Sequence, residues 1–180
     1  EVTQRVWARL VGASGLNGSP SRFDGDRRPV ESVSWDDVVS WCEGNGLRLP
    51  SESEWEYACR AGTTTRFGSG DADSDLDSVG WYAGNANGQT HPVGEKAANA
   101  FGVYDMHGNV WEWCRDTYQG SYEGSPTDGS AWEDAGADRR VSRAGGWTSD
   151  AANCRSASRG SPSPGDRGGN LGFRPARSLP

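Results

Sequence analysis

The chain has 180 residues, enough for one domain that buries about 70% of the surface of its unfolded form. Its net charge of −7 at pH 7 disfavours nucleic acid and anionic membrane surfaces as partners. No run is long and apolar enough to span a bilayer, and no signal peptide is recognisable. The first residue is not methionine, so we expect residues 1–180 to be a single domain cut from a longer protein; its compartment and oligomeric state stay open.

Two short helices are predicted in the first quarter of the chain. Thr3 can cap a helix that continues to about Val11, where a glycine follows. Ser34 can cap a second helix over residues 35–43, with apolar residues on one face. Glycines follow this helix as well and provide its stop.

A third helix and two later strands are predicted. Ser51 and Glu54 have the S-x-x-E spacing of a capping box, which opens a helix over residues 52–60. Residues 119–138 are rich in Gly, Ser, Asp and Glu, which indicates an exposed loop. Residues 140–146 and 154–159 are predicted as short strands.

The run from residue 145 to residue 174 mixes two kinds of residue. One kind is typical of a scaffold, and it comprises Ala151, Cys154, Arg155, Ala157, Arg159, Pro164, Arg167, Leu171, Gly172, Phe173 and Arg174. The other kind lies between them and is small or polar, except for a tryptophan at its start. It comprises Trp147, Thr148, Ser149, Asp150, Ala152, Asn153, Ser158, Gly160, Ser161, Ser163, Gly165, Asp166, Gly168, Gly169 and Asn170. A fixed framework with small or polar residues between its members is typical of a binding surface. Catalysis needs groups with a tuned pKa or metal affinity, and few such groups lie in this run.

Three sequence blocks, in order, carry a family resemblance. They are GLRLPSESEWEYACRAG at residues 46–62, NAFGVYDMHGNVWEWC at residues 99–114, and the run that opens with GGW at 145–147 and closes with GFR at 172–174. Together they resemble the formylglycine-generating enzyme (sulfatase-modifying factor) family. The resemblance implies an α+β fold of the C-type-lectin-like kind, with a small twisted antiparallel sheet, two main helices and many loops.

Within that superfamily the closing run resembles the variable region of diversity-generating retroelement target proteins. In such proteins a mutagenic reverse transcriptase rewrites chosen codons on a fixed lectin-like scaffold. The resemblance therefore implies a non-catalytic module that binds a protein or other macromolecular ligand through a diversified surface at about 147–170. We expect these residues to form one exposed face above Arg155, Arg159, Leu171 and Phe173. Trp147 is equally compatible with a ligand anchor and a core residue.

The alternatives are an enzyme of the formylglycine-generating type and a purely structural domain of that family. The copper-dependent family enzymes carry two cysteines after the Gly-Gly pair, and here that segment holds Cys154 alone. A related branch holds iron through three histidines, whereas this chain has two, His91 and His107. We therefore expect no copper, no iron and no catalytic residues.

The resemblance also bears on the four cysteines. Cys42, Cys59, Cys114 and Cys154 have no zinc-type spacing. The family pattern would pair Cys59 with a C-terminal segment, where Cys154 is the candidate partner. The alternative is that all four cysteines are buried free thiols.

The resemblance finally implies a structural calcium site in the segment 105–112. Its ligands would be the Asp105 and Glu112 side chains and the carbonyls of Gly108 and Val110. Calcium prefers such a mixture of carboxylate and carbonyl oxygens on a curled loop. In the alternative arrangement Glu112 pairs with an arginine inside the core and Asp105 caps a turn.

Overall fold

The computed structural model describes residues 1–14 and 18–178. The α-helices are α1 (Gln4–Leu10), α2 (Trp35–Gly44) and α3 (Glu52–Arg60). The strands are β1 (Gly80–Trp81), β2 (His107–Gly108), β3 (Trp111–Thr117), β4 (Arg140–Arg143) and β5 (Leu171–Gly172). Three 3₁₀ helices span Val11–Ser14, Asp73–Ser78 and Ala151–Cys154. None of the helices in the described part of the chain has the length and apolar character needed to cross a membrane.

The three predicted helices are confirmed together with their caps. The Thr3 hydroxyl accepts a hydrogen bond from the Val6 amide at 3.3 Å. Ser34 and Ser51 both form reciprocal capping boxes, with Asp37 and Glu54 respectively. These contacts join residues three apart in the chain, so they form wherever the local sequence supplies them.

The α+β class is confirmed, with one difference in the sheet. The main sheet has the order β4-β3-β5, in which β3 pairs antiparallel with β4 and parallel with β5. A separate parallel pair joins β1 to β2. The sheet is therefore mixed rather than antiparallel throughout. A long irregular connection leads from β4 to β5, so no tight hairpin turn fixes the direction in which β5 enters.

The predicted strands around the variable segment are shorter than expected. Residues 140–146 form β4 only as far as Arg143, because Ala144 and Gly145 take positive φ values of 84° and 74°. The prediction of a strand at 154–159 is wrong. Asp150 caps the 3₁₀ helix Ala151–Cys154, and a turn follows it. Short polar side chains that bond to nearby backbone groups favour such turns over a strand. Residues 119–138 form the expected irregular and largely exposed loop.

Large aromatic side chains pack together in the main hydrophobic core. Trp7 stacks on Trp41 at 5.9 Å between ring centroids, and Phe173 meets Trp41 edge-on at 5.3 Å. Gly172 lies so close to a neighbouring backbone that a Cβ there would be 2.4 Å from the Val30 carbonyl oxygen. Gly172 therefore allows strand β5 to pack against the backbone at Val30, and this places Phe173 in the core.

Candidate functional site

A buried ion network lies under the middle of the 147–170 segment. Arg143, at the end of β4, has no exposed surface and binds the carboxylates of Glu52 and Glu56 on α3. The same guanidinium donates to the Ser156 carbonyl at 2.6 Å and to the Ala157 carbonyl at 3.4 Å. One arginine thus fixes a turn of the segment to helix α3.

Arg159 binds the same acidic residue from the segment itself. It holds Glu52 with two hydrogen bonds, of 2.6 and 2.7 Å, in a bidentate pair. Its guanidinium lies 4.7 Å from the ring centroid of Tyr118 and 4.5 Å from that of Tyr122. Arg159 therefore braces the segment from within, which is consistent with its place in the predicted scaffold.

The first part of the segment presents a partly exposed tryptophan. Trp147 donates from its indole N–H to the Gly169 carbonyl at 2.8 Å, and Asn170 donates to the Thr148 hydroxyl at 3.0 Å. The Phe23 ring meets Trp147 edge-on at 5.3 Å, and the Arg22 guanidinium lies 5.8 Å from it. Trp147 is neither fully buried nor free, so it forms one wall of a surface patch.

The middle part of the segment rests on a buried histidine. The Gly68 amide donates to His107 Nε2 at 3.0 Å, so the imidazole proton lies on Nδ1 and bonds the Cys154 carbonyl at 2.8 Å. Burial lowers the pKa of His107, which favours this neutral form. The 3₁₀ turn at 151–154 is thereby held from beneath.

The last part of the segment lies along β4 and the start of α2. Gly160 forms an isolated antiparallel bridge with Ser142, and the Trp35 amide donates to the Pro164 carbonyl at 2.8 Å. A Cβ at Gly160 would lie 2.3 Å from the Ser142 hydroxyl oxygen. A side chain at Gly160 would therefore require the Ser142 hydroxyl to move.

Exposure divides the predicted surface residues into three groups. Exposed residues are Thr148, Asp150, Ala152, Asn153, Gly165 and Asp166. Partly exposed residues are Trp147, Gly160, Ser161, Ser163, Gly168, Gly169 and Asn170. Buried residues are Ser149 and Ser158.

Two features of the expected exposed face need correction. Ser149 accepts from the Gly146 amide at 3.1 Å, and Ser158 donates to the Ala152 carbonyl at 2.8 Å. Both hydroxyls close turns, so these serines belong to the framework. Arg155, expected beneath the face, is exposed and belongs to the surface, whereas Leu171 and Phe173 lie beneath it as expected.

Sequence reasoning missed Glu52 and several other residues of this site. Arg143, Glu56, Arg22 and Phe23 all lie outside the run 145–174, and they meet it only through the fold. An arginine directly before the small turn residues was the only local signal for Arg143.

All four cysteines are buried free thiols, which is the second of the two alternatives for the disulfide state. Cys59 contacts the Met106 carbonyl at 3.6 Å. Burial raises the pKa of Cys42 and Cys154 to about 12, that of Cys59 to about 11 and that of Cys114 well above its usual value. Such thiols stay protonated at neutral pH, whereas nucleophiles and soft-metal ligands are thiolates.

The segment implied for calcium is buried and partly occupied by an arginine. Arg174 binds both oxygens of Glu112, at 2.5 and 2.8 Å, and the Trp55 indole adds a bond of 2.6 Å. Arg174 also donates to the Asp105 carbonyl at 3.0 Å. An arginine thus pairs with Glu112 as in the alternative arrangement, and Asp105 accepts from the Gly94 amide at 2.8 Å.

One carboxylate oxygen in this segment has no hydrogen-bond donor. Asp105 Oδ1 is buried and has no hydrogen-bond partner, and burial raises the pKa of this carboxyl. An orphaned buried carboxylate oxygen suits a bound cation. Across residues 1–14 and 18–178, no cluster of three or more His, Cys, Asp or Glu side chains could hold a metal. The implied site differs from such clusters because it combines two carboxylates with two backbone carbonyls. A calcium ion in this site would have to share Glu112 with Arg174.

The short mixed sheet, its two main helices and the long irregular segments define a C-type-lectin-like domain. The chain matches the sulfatase-modifying factor enzyme 1-like domain over residues 1–179, and it belongs to that family.

Curated relatives carry different names. The chain is 36% identical to the formylglycine-generating enzyme of Streptomyces coelicolor, over 93% of this chain and 57% of that enzyme. It is 31% identical to the chaperone protein LppX of Paenibacillus barcinonensis, over 83% of this chain and 68% of LppX. The chain therefore spans little more than half of the S. coelicolor enzyme.

A solved structure adds the resemblance to variable proteins. Treponema denticola variable protein 1 superposes with a TM-score of 0.89 at 28% identity, over 97% of this chain and 81% of that chain. The two resemblances expected from the sequence, to the formylglycine-generating enzyme family and to a variable protein, are both confirmed.

Proposed function

We propose that this chain is a non-catalytic ligand-binding module, in which the segment 147–170 displays a diversified surface to a protein or other macromolecular ligand. The observation that carries the proposal is the separation of roles within the segment. Buried residues and the Arg143 network fix its turns, while its exposed residues contribute little to the core. Exposed sites can change without large effects on stability, and a rigid support keeps the surface preorganised for binding.

The similarity to Treponema denticola variable protein 1 supports this reading, because it extends over nearly the whole chain. The patch around Trp147 supplies what an interface needs at its centre. It holds a partly exposed aromatic ring with a neighbouring arginine, and such residues are enriched at binding hot spots.

A library randomised at Thr148, Ala152, Asn153 and Gly165 is expected to keep the fold and to yield new binders. Each of these exposed sites should change stability by less than about 0.5 kcal/mol. Display of the library against hen lysozyme as a probe protein should select variants with dissociation constants in the micromolar range or below, and thermal unfolding of the selected variants should match that of the parent.

The matched control is a library of the same size at Arg5, Arg9, Ser40 and Glu43, which are exposed residues of α1 and α2. It should yield no binders. Equal yields from the two libraries, or unfolding of most members of the first, would contradict a dedicated binding surface. No binders from either library would favour a purely structural domain.

Oxidation of a substrate cysteine is the alternative that the S. coelicolor relative favours by name. It needs thiolates that can bind copper, and the four thiols here are buried with raised pKa values. Mass spectrometry of a cysteine peptide incubated with the protein, copper and oxygen tests it directly. Conversion of the peptide cysteine to an aldehyde would overturn the non-catalytic proposal.

We further propose that calcium binds at Asp105, with the carbonyls of Gly108 and Val110 as further ligands and Glu112 shared with Arg174. Calcium would stabilise the segment 105–112, beneath the binding face, without touching the ligand. At a calcium concentration about 100 times the Kd, the melting temperature should rise by roughly 5–10 °C relative to chelator.

Differential scanning calorimetry of the parent and of Asp105→Ala measures this effect, with magnesium as the control ion. Asp105→Ala should lose the calcium response. An equal melting temperature in calcium and in chelator would exclude the site.

A further inference from the structure

A cleft with exposed aromatic rings lies between helix α3 and the loop 119–138. Its volume is about 240 Å³, and its lining includes the rings of Tyr57, Tyr122 and Trp132. Tyr57 is 70% exposed and Tyr122 is 55% exposed. Tyr57 also packs against the half-exposed Phe101, at 5.4 Å between ring centroids, which extends the aromatic patch beyond the cleft. A patch of large exposed side chains that adjoin one another is characteristic of an interaction site.

Two acidic side chains that line the cleft already have cationic partners. Glu52 pairs with Arg143 and with Arg159. Glu56 pairs with Arg143 as well, and with Arg60. Three guanidiniums therefore bind these two carboxylates, so neither carboxylate needs a cation from a ligand.

The third carboxylate of the cleft is bonded to the backbone. Asp116 is buried, and its two oxygens accept from the amides of Glu52 and Trp132, at 2.7 and 2.9 Å. The charges of the three carboxylates and the three guanidiniums sum to zero. Electrostatics therefore favours neither an anion nor a cation as the occupant of the cleft.

Hydroxyl groups of the cleft donate to acceptors of the protein itself. The Tyr122 hydroxyl donates to Glu52 at 3.2 Å, and the Ser130 hydroxyl donates to Asp128 at 2.6 Å. The Thr117 hydroxyl donates to a backbone carbonyl at 2.8 Å. Because these donors are already in use, the rings are the main surface that the cleft offers. Such a surface favours an uncharged and largely apolar occupant.

The cleft adjoins the segment 147–170 through Arg159. The Arg159 guanidinium lines the cleft and donates to the Gln119 carbonyl at 2.7 Å, where the loop begins. Just after the loop, Arg139 donates to the Ser161 carbonyl at 2.9 Å. The other lining residues lie outside the segment, so they stay constant when residues of the segment change.

We propose that this cleft is a constant anchor pocket beside the diversified surface, and that an aromatic side chain of the protein ligand occupies it. The proposal rests on the proposed binding function, which brings a protein ligand to the adjoining segment. Aromatic rings gain from edge-on or offset contacts with other rings, beyond the area that they bury. Tyrosine, tryptophan and arginine dominate binding hot spots, and the cleft presents all three types.

The experiment is an NMR titration that follows the indole N–H resonance of Trp132. The probes are the peptides acetyl-Gly-Phe-Gly-amide, acetyl-Gly-Arg-Gly-amide and acetyl-Gly-Glu-Gly-amide, each compared with acetyl-Gly-Gly-Gly-amide. Saturable shifts at millimolar concentrations are expected with the phenylalanine peptide alone. No saturable shift with this peptide would overturn the pocket. Equal affinity for the arginine or the glutamate peptide would overturn an uncharged occupant.

Tyr57→Ala should bind the phenylalanine peptide about threefold to tenfold more weakly, because one ring contact of the pocket is lost. Tyr57→Phe keeps the ring and should bind as the parent does. Both variants should fold, since the side chain of Tyr57 is largely exposed. Equal affinities of Tyr57→Ala and the parent would contradict the pocket.

Tyr104→Ala is the matched control. Tyr104 is also an exposed tyrosine, and it does not line the cleft, so its replacement should leave the titration unchanged. Benzyl alcohol is the probe that separates a free aromatic molecule from a side chain. Tighter binding of benzyl alcohol than of the phenylalanine peptide would overturn a protein side chain as occupant. The titration uses no randomised residue, so its failure would leave the proposed binding module standing.

Discussion

Replacement of Arg143 by alanine is expected to lower the free energy of unfolding by about 3–5 kcal/mol, which is the usual cost of breaking a buried charge pair. The substitution removes a fully buried guanidinium from Glu52 and Glu56. It also leaves the Ser156 and Ala157 carbonyls without their arginine donor. Urea unfolding followed by tryptophan fluorescence measures the loss.

Arg139→Ala is the control for this prediction. The exposed side chain of Arg139 donates to the Ser161 carbonyl at 2.9 Å, and loss of that bond should cost about 1 kcal/mol or less. Arg143→Lys should fall between the two variants because an ammonium cannot reproduce the fork. Equal stabilities of Arg143→Ala and Arg139→Ala would show that the network does not support the segment.

The Arg143 network ends in the binding segment itself, so its loss should also affect binding. The Arg143 bonds to Ser156 and Ala157 hold the turn that precedes Arg159, and Arg159 holds the opposite side of Glu52. A variant without Arg143 should therefore lose binders selected on the 147–170 surface even under conditions where most of the protein remains folded.

The parts of the fold that sequence reasoning predicted correctly depend on short-range contacts. The capping boxes of α2 and α3 join Ser34 to Asp37 and Ser51 to Glu54, so the printed sequence contains both partners within one turn. Strand β5 depends instead on register with Trp111, far from it in the chain. No local pattern encodes that pairing, and its parallel direction was not predictable.

The proposed binding surface likewise has features that the local sequence predicts and features that depend on the tertiary structure. The framework and the small residues of 147–170 alternate visibly in the sequence, but burial of Ser149 and Ser158 depends on which carbonyl or amide each hydroxyl meets after folding. A polar residue at a tight turn and a polar residue on an open surface have the same sequence signature. Arg143 and Glu52 are 91 positions apart, so their pairing needed the tertiary structure.

Glu112→Gln is expected to cost about 3 kcal/mol, because it leaves the guanidinium of Arg174 without its charged partner in a buried site. Glu112 has no exposed surface, and Arg174 binds both of its oxygens. Glutamine has the same side-chain shape as glutamate and keeps one hydrogen-bond acceptor. The loss of stability therefore measures mainly the effect of the charge. Urea unfolding measures it, and Glu43→Gln, at an exposed glutamate of α2, is the control that should stay within about 0.5 kcal/mol of the parent.

A double-mutant cycle separates the ion pair from the rest of the site. In the variant that combines Glu112→Leu with Arg174→Met, both charges disappear, and the two apolar side chains fill a similar volume. The double variant should be more stable than the sum of the single effects predicts, by about 2 kcal/mol, since neither single variant avoids an unpaired buried charge. Additive losses would mean that Glu112 and Arg174 act independently. That outcome would favour calcium, rather than Arg174, as the main partner of Glu112, and repetition of the cycle in calcium and in chelator would distinguish the two arrangements.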